Sequence, residues 1–164
     1  MADDGASVLL TAEGMASLKA ELDDLVKREK PALLTRLAEA RAHGDLSENA
    51  EYHAVKELKA LADARIIELH GVLGRAEVFK PDPAEAAGRC VFGSEVEVKV
   101  QQDGRKEQRR RFKIVSSYEA DAANNSLSME SPLGSELLGK EAGDVVEIDA
   151  PAGLLRYEIV AVSY

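Results

Sequence analysis

Asp45 and Glu48 are the residues of this chain whose type and spacing best suit chemistry. They stand three positions apart at what reads as the start of a helix, so both carboxylates project from roughly one face, away from any core. Carboxylate oxygens suit a hard cation such as magnesium, which takes one or two protein carboxylates and fills its shell with water and phosphate. Two acids can complete such a site but not build one, so a partner is expected to supply the rest. The same residues equally suit a structural role, with Asp45 or Ser47 capping the helix and Glu48 closing a capping box. His43 and His53 flank the turn at different helical phases and without HExxH spacing, which argues against a self-contained metal centre. His70 reads as a surface residue.

Two apolar stripes must position this turn. Leu18, Leu22, Leu25, Leu33, Leu37 and Ala40 step by three or four with one gap of eight, and Tyr52, Val55, Leu58, Ala62, Ile66, Leu69 and Leu73 step by three or four, the second run ending at Gly74. Thr11 is a candidate N-cap for the first helix, with Glu13 in its first turn. Lys30-Pro31 predicts a kink, because proline lacks the N–H and clashes one turn back. Between the stripes, Gly44 suits a left-handed helix end. The pattern is an antiparallel helical hairpin with the acids at its tip, about 45 Å from its base if each arm has about 30 residues. Tyr52 opens the second stripe and is expected to pack across the hairpin.

Composition shifts near residue 80. PDPAEAAG, residues 81–88, holds two prolines and reads as a linker between a hairpin of residues 1–80 and a second domain of residues 89–164. In that domain Ser94 to Gln101 alternates polar and apolar, Asp103-Gly104 signals a hairpin, and Gln108 to Val115 returns. Further strands are predicted at Ser126–Met129, Val145–Ile148 and Leu155–Val162. One short helix interrupts them, capped by Ser131 with Pro132 in its first turn. The fold class is α+β: a coiled-coil hairpin followed by a small antiparallel sheet with one short helix. The run Arg109-Arg110-Arg111 alternates in direction on a strand, so it reads as a solvated face.

Charge narrows the functions. The 164 residues carry a formal net charge of −9, which disfavours autonomous nucleic-acid binding through phosphate neutralisation. The single Cys90 excludes an intramolecular disulfide and a Cys-rich zinc site and favours a reducing compartment. MADDGASVLL lacks a basic n-region and a long apolar core, and no stretch approaches about 18 apolar residues, so a cytoplasmic protein without a membrane span is expected.

The string Gly44-Asp45-Leu46-Ser47-Glu48-Asn49-Ala50-Glu51-Tyr52-His53 resembles the tip motif of the bacterial Gre transcript-cleavage factors, near the GreA type. Leu10-Thr11-Ala12-Glu13-Gly14, Glu39-Ala40-Arg41-Ala42-His43, Tyr118-Glu119-Ala120-Asp121, Ser131-Pro132-Leu133-Gly134, Leu137-Leu138-Gly139-Lys140, Gly143-Asp144-Val145-Val146 and Tyr157-Glu158-Ile159 extend the resemblance over nearly the whole chain. It implies a transcription elongation factor that is not itself an enzyme. Its coiled coil would enter the secondary channel of RNA polymerase and stimulate the polymerase's magnesium-dependent cleavage of backtracked RNA, with any association with DNA indirect. Asp45 and Glu48 match the acids that help hold the second catalytic Mg2+, which the polymerase site supplies. Arg41 and Lys56 match the basic tip face that steadies the RNA, although solvated helix charges would look the same. The resemblance also implies an FKBP-like second domain that docks on the polymerase, with Ser131, Pro132, Leu133 and Gly134 among the contacts. A capped helix start accounts for that motif too. Residues 54–59 read AVKELK, where GreA-like chains usually carry Ala and Gln at several positions, which would suit a diverged regulator that binds polymerase without strong cleavage. An FKBP-like isomerase or chaperone is the alternative from another class, and the aromatic supply of residues 89–164 is thin for it. A plain coiled-coil adaptor would be indifferent to its tip.

Overall fold

The apolar steps of the first half fold as a helical hairpin. In the computed structural model, which describes residues 6–45 and 48–164, α1 (Ala12–Asp24), a five-residue π-helical turn (Leu25–Glu29) and α2 (Lys30–Ala42) make the first arm, and α3 (Ala50–Arg75) makes the second. Leu18, Leu25, Leu33 and Ala40 are buried from one arm, and Tyr52, Val55, Ala62, Leu69 and Val72 from the other. The 26 residues of α3 span about 39 Å at the standard helical rise. The proline leaves a distinct signature: just before Pro31 the ladder shifts, and the Lys30 N–H bonds to the Leu25 carbonyl, five residues back. A wider turn accommodates the missing donor without ending the arm.

Leu58 departs from the expected stripe. It is 45% exposed, while Val72 is buried. Leu58 lies beside the π-turn and the small Ala32, where the arms leave a groove also lined by Arg28, Glu29, Leu33 and Arg36. Across the hairpin, Arg65 forks onto Glu21, with Nε–Oε1 at 2.7 Å and Nη2–Oε2 at 2.9 Å. Asp63 lies between Lys30 at 2.7 Å and Lys59 at 2.6 Å. Both sets are partly solvated, so they set the register of the arms more than they stabilise them.

Two short strands escaped the sequence pattern. β1 (Val8–Leu10) precedes α1, β2 (Ala76–Val78) follows α3, and they pair as a two-stranded sheet. Three residues are too few for an alternation to register. Where a hairpin of residues 1–80 was expected, residues 6–8 and Ala12–Glu77 form one compact unit, and Leu9–Thr11 cluster with Val78–Tyr164 in the other. Thr11 is tied into the second unit by Glu119: its N–H lies 3.1 Å from Oε2, and its hydroxyl donates to Oε1.

The second unit is a five-stranded sheet in the order β5-β4-β3-β7-β6, from β3 (Glu95–Gln102), β4 (Gln108–Val115), β5 (Ser126–Ser128), β6 (Val145–Ala150) and β7 (Gly153–Ser163). The helix α4 (Pro132–Leu137) follows β5. Cys90, Val96, Val98, Ile114, Leu137, Val146, Tyr157 and Ile159 form its core. The expectation of a purely antiparallel sheet requires one correction, since β4 and β5 pair in parallel, Ile114 opposite Leu127. Between them Asp121 caps a 3-10 turn (Ala122–Asn124), and Asn125 takes φ +55. This ten-residue connection brings β5 back in the direction of β4, as a hairpin turn could not.

Candidate functional site at the hairpin tip

The tip begins where α2 runs out. The His43 N–H bonds to the Ala40 carbonyl at 3.3 Å, and Gly44 then takes φ +117, a left-handed conformation that costs glycine little. The second arm starts at Asn49, whose Oδ1 accepts the Tyr52 N–H at 3.0 Å. Asn49, rather than Asp45, therefore caps α3. A cap side chain reaches the N–H groups of its own first turn, and Asp45 lies five residues before Ala50. Ser47, the other expected cap, falls outside the described residues. Glu48 precedes the cap, and the position a capping box requires is occupied by Tyr52. The structural alternative for Glu48 thus loses its geometry.

Asn49 also crosses to the other arm. Its Nδ2 donates to the Ala40 carbonyl at 2.6 Å, the same oxygen that receives His43. Asp45 and Glu48 are both exposed within the turn so closed. Among the described residues no three His, Cys, Asp or Glu side chains gather as a metal site. The donor chemistry of two exposed carboxylates fits a magnesium ion held jointly with other ligands.

Behind the acids lies a basic and aromatic face. The Arg41 guanidinium sits 5.6 Å from the centre of the Tyr52 ring, and its Nη2 approaches the Tyr52 hydroxyl at 3.5 Å. Lys56 follows Tyr52 by one turn and is exposed. The hydrogen bond from Arg41 holds the Tyr52 hydroxyl below its ordinary pKa, against the effect of burial, and the charges of Arg41 and Lys56 add to the lowering. Arg41, Tyr52 and Lys56 thus share one patch of positive field. Tyr52 itself is only 9% exposed, as packing across the hairpin requires, and its ring meets His53 edge-on at 5.5 Å. The contribution of Asn49 was not read from the sequence; its signal was an asparagine directly before a helix start, the strongest class of N-cap.

In the second unit Ser131 accepts the Gly134 N–H at 3.0 Å and donates to the Ser128 carbonyl at 2.6 Å. Gly134 is buried, and a Cβ built there would lie 2.0 Å from that carbonyl oxygen. Packing therefore accounts for Ser131 and Gly134. Leu133 packs against the core, and Pro132 is exposed. Of the arginine run, Arg109 and Arg111 share a face and both reach Glu97, at 3.2 and 3.4 Å. Arg110 pairs opposite Val98. No helix among the described residues is long and apolar enough to cross a membrane.

Comparison with known proteins covers both units. Residues 8–78 match the family model described as transcription elongation factor, N-terminal, and residues 85–164 match transcription elongation factor, GreA/GreB, C-term. A relative from Thermodesulfovibrio yellowstonii, transcription elongation factor GreA, is 45% identical over 94% of this chain and 96% of its own. One of the same name from Mesorhizobium japonicum is 44% identical over 96% of this chain and 98% of its own. The crystal structure of GreA factor homolog 1 from Thermus thermophilus is 30% identical, covers 96% of this chain and 99% of its own, and superimposes with a TM-score of 0.43.

Proposed function

Because the chain belongs to the GreA/GreB family of transcription elongation factors, we propose that it binds RNA polymerase in the cytoplasm and stimulates cleavage of backtracked RNA through its tip. The reading is carried by Asp45 and Glu48, exposed on a turn whose ends meet at one carbonyl and lying ahead of Asn49, the cap of α3. Asp45 and Glu48 would hold a magnesium ion together with ligands of the polymerase. Such an ion, when bound, activates water and stabilises the in-line phosphoryl transition state. The chain's own share is to present two oxygen ligands at the end of a stiff hairpin, while Arg41 and Lys56 set a positive face against the RNA phosphates. With so few ligands of its own, the chain acts on the polymerase's activity and is not itself an enzyme.

The second unit is read as FKBP-like and as the docking domain, with Pro132 the exposed member of its contact motif. Of its aromatic side chains, Phe92 meets Phe79 edge-on at 5.2 Å, Tyr157 lies in the core with Phe112 packed against it, and Tyr118 and Tyr164 are exposed, so no aromatic cluster lines a pocket among these. That disfavours an isomerase pocket. The test is incubation of a stalled, backtracked elongation complex with the protein and Mg2+, followed by sizing of the released RNA. Asp45→Asn and Glu48→Gln should each lower the cleavage rate by about tenfold or more, since removing a metal-directed charge weakens the shared ion, while polymerase binding persists. Parallel loss of binding and cleavage would make the acids structural and overturn the assignment. Wild-type protein that binds without cleaving would show a diverged regulator.

A further inference from the structure

We infer that Asn49 is the positioning residue of the tip: by bonding to both arms it holds together the two ends of the turn from which Asp45 and Glu48 are offered to a shared cation. The inference rests on the function proposed above. An ordinary N-cap uses one side-chain oxygen and answers to its own helix. Asn49 uses both ends of its amide. Oδ1 accepts the Tyr52 N–H at 3.0 Å, and Nδ2 donates to the Ala40 carbonyl at 2.6 Å. Ala40 is 1% exposed, and its carbonyl also receives the His43 N–H at 3.3 Å. The last residues of one helix and the cap of the next are thus tied to a single buried oxygen, and Asp45 and Glu48 each lie within two residues of a tie.

Each tie answers a physical need. Carbonyls in the last turn of α2 lack helical partners, as do N–H groups in the first turn of α3, and one amide supplies both. Glu48 is bonded covalently to Asn49, so holding Asn49 against Ala40 holds the Glu48 backbone beside the first arm. Asp45 follows Gly44, whose φ of +117 turns the chain immediately after the His43 tie. Acids carried on a turn whose ends are already fixed need less ordering when an ion arrives, and such preorganisation of a site favours rate.

The cap and the strap can be separated by substitution. Asn49→Asp keeps the shape and the cap acceptor but replaces the donor with an oxygen facing the Ala40 carbonyl. Asn49→Ser keeps a cap without adding charge and is too short to span both arms. Both full-length variants are measured in the backtracked complex for cleavage rate at saturating protein, for Mg2+ concentration at half-maximal rate, and for competition with labelled wild type for polymerase. Thermal unfolding is recorded alongside. Both should compete and melt close to wild type, cleave about tenfold more slowly, and need several-fold more Mg2+, as expected of loosened ligands. Wild-type rates and Mg2+ dependence in both variants would overturn the inference. So would losses of melting temperature and competition that match the loss of rate, which would make Asn49 a structural cap only. Wild-type protein that fails to stimulate cleavage would refute the proposed function itself and with it this role, and that result is distinct from variant-only outcomes.

Discussion

Gly134→Ala tests whether the Ser131-to-Gly134 motif is dictated by packing or by docking. A methyl at Gly134 would lie 2.0 Å from the Ser128 carbonyl oxygen and 3.0 Å from Ser131 Oγ. Contacts of a real Cβ essentially never fall below 3.0 Å, so the carbonyl must retreat by at least about 1 Å. It cannot do so freely. It accepts the Ser131 hydroxyl at 2.6 Å and the Ser131 N–H at 3.1 Å, and Ser128 is paired with Val115 while the next N–H, from Met129, bonds to the Val115 carbonyl at 2.8 Å. Overpacking costs about 1–3 kcal/mol, and two neutral hydrogen bonds contribute about 1 kcal/mol each. Alanine returns about 1 kcal/mol of helix propensity. The net loss is about 3 kcal/mol, which in a unit of this size lowers the melting temperature by roughly 12–24 °C. Calorimetry and circular dichroism on Gly134→Ala should show this fall, with the exposed Glu136→Ala as a control near wild type. A Gly134→Ala protein melting within about 2 °C of wild type, set against the scale above, would refute the packing argument and return the glycine to docking.

Leu69→Ala, at a position 1% exposed in α3, should cost the hairpin about 2–5 kcal/mol in urea unfolding, whereas Leu61→Ala, 64% exposed, should stay within about 0.5 kcal/mol. Hydrogen bonds from Lys30 and then Lys59 hold the Asp63 carboxyl below its ordinary pKa. Its stabilising effect is therefore present above the unfolded pKa of about 3.9 and lost as pH falls through the lower folded value. Asp63→Asn should melt below wild type at neutral pH, and the gap should close in acid; a gap that persists in acid would refute the pairing. Burial pushes the Cys90 thiol up to about 11, leaving about one part in a thousand as thiolate at pH 8. A thiol reagent should label it in native protein only slowly and in urea at once, and rapid native labelling would contradict its burial.

The sequence by itself determined the features that depend on neighbours along the chain. Period and end signals placed both arms, the left-handed Gly44, the Gln108–Val115 strand, and the Ser131 cap with Pro132 behind it. Each follows from a repeat of 3.6 or 2 residues or from a backbone conformation one residue type accepts. The two tip acids were picked out by residue type and spacing, but the helical common face expected for them does not form, because α3 starts only at Ala50, after its cap Asn49. Only the tertiary structure decided which of several competent caps is used. Asp45, Ser47 and Asn49 all suit the role as residue types; Asn49 lies next to the helix start and opposite a carbonyl of the other arm, and only an amide both accepts and donates. The exposure of Leu58, the fork of Arg65 onto Glu21, the parallel pairing of β5 and the tie from Thr11 to Glu119 share that character. Their partners lie many residues away, 108 in the last case, and a local pattern holds no information about which distant surface will face it. Helix and strand are properties of adjacent residues, whereas a side chain that joins two elements acquires its role only when packing brings them together.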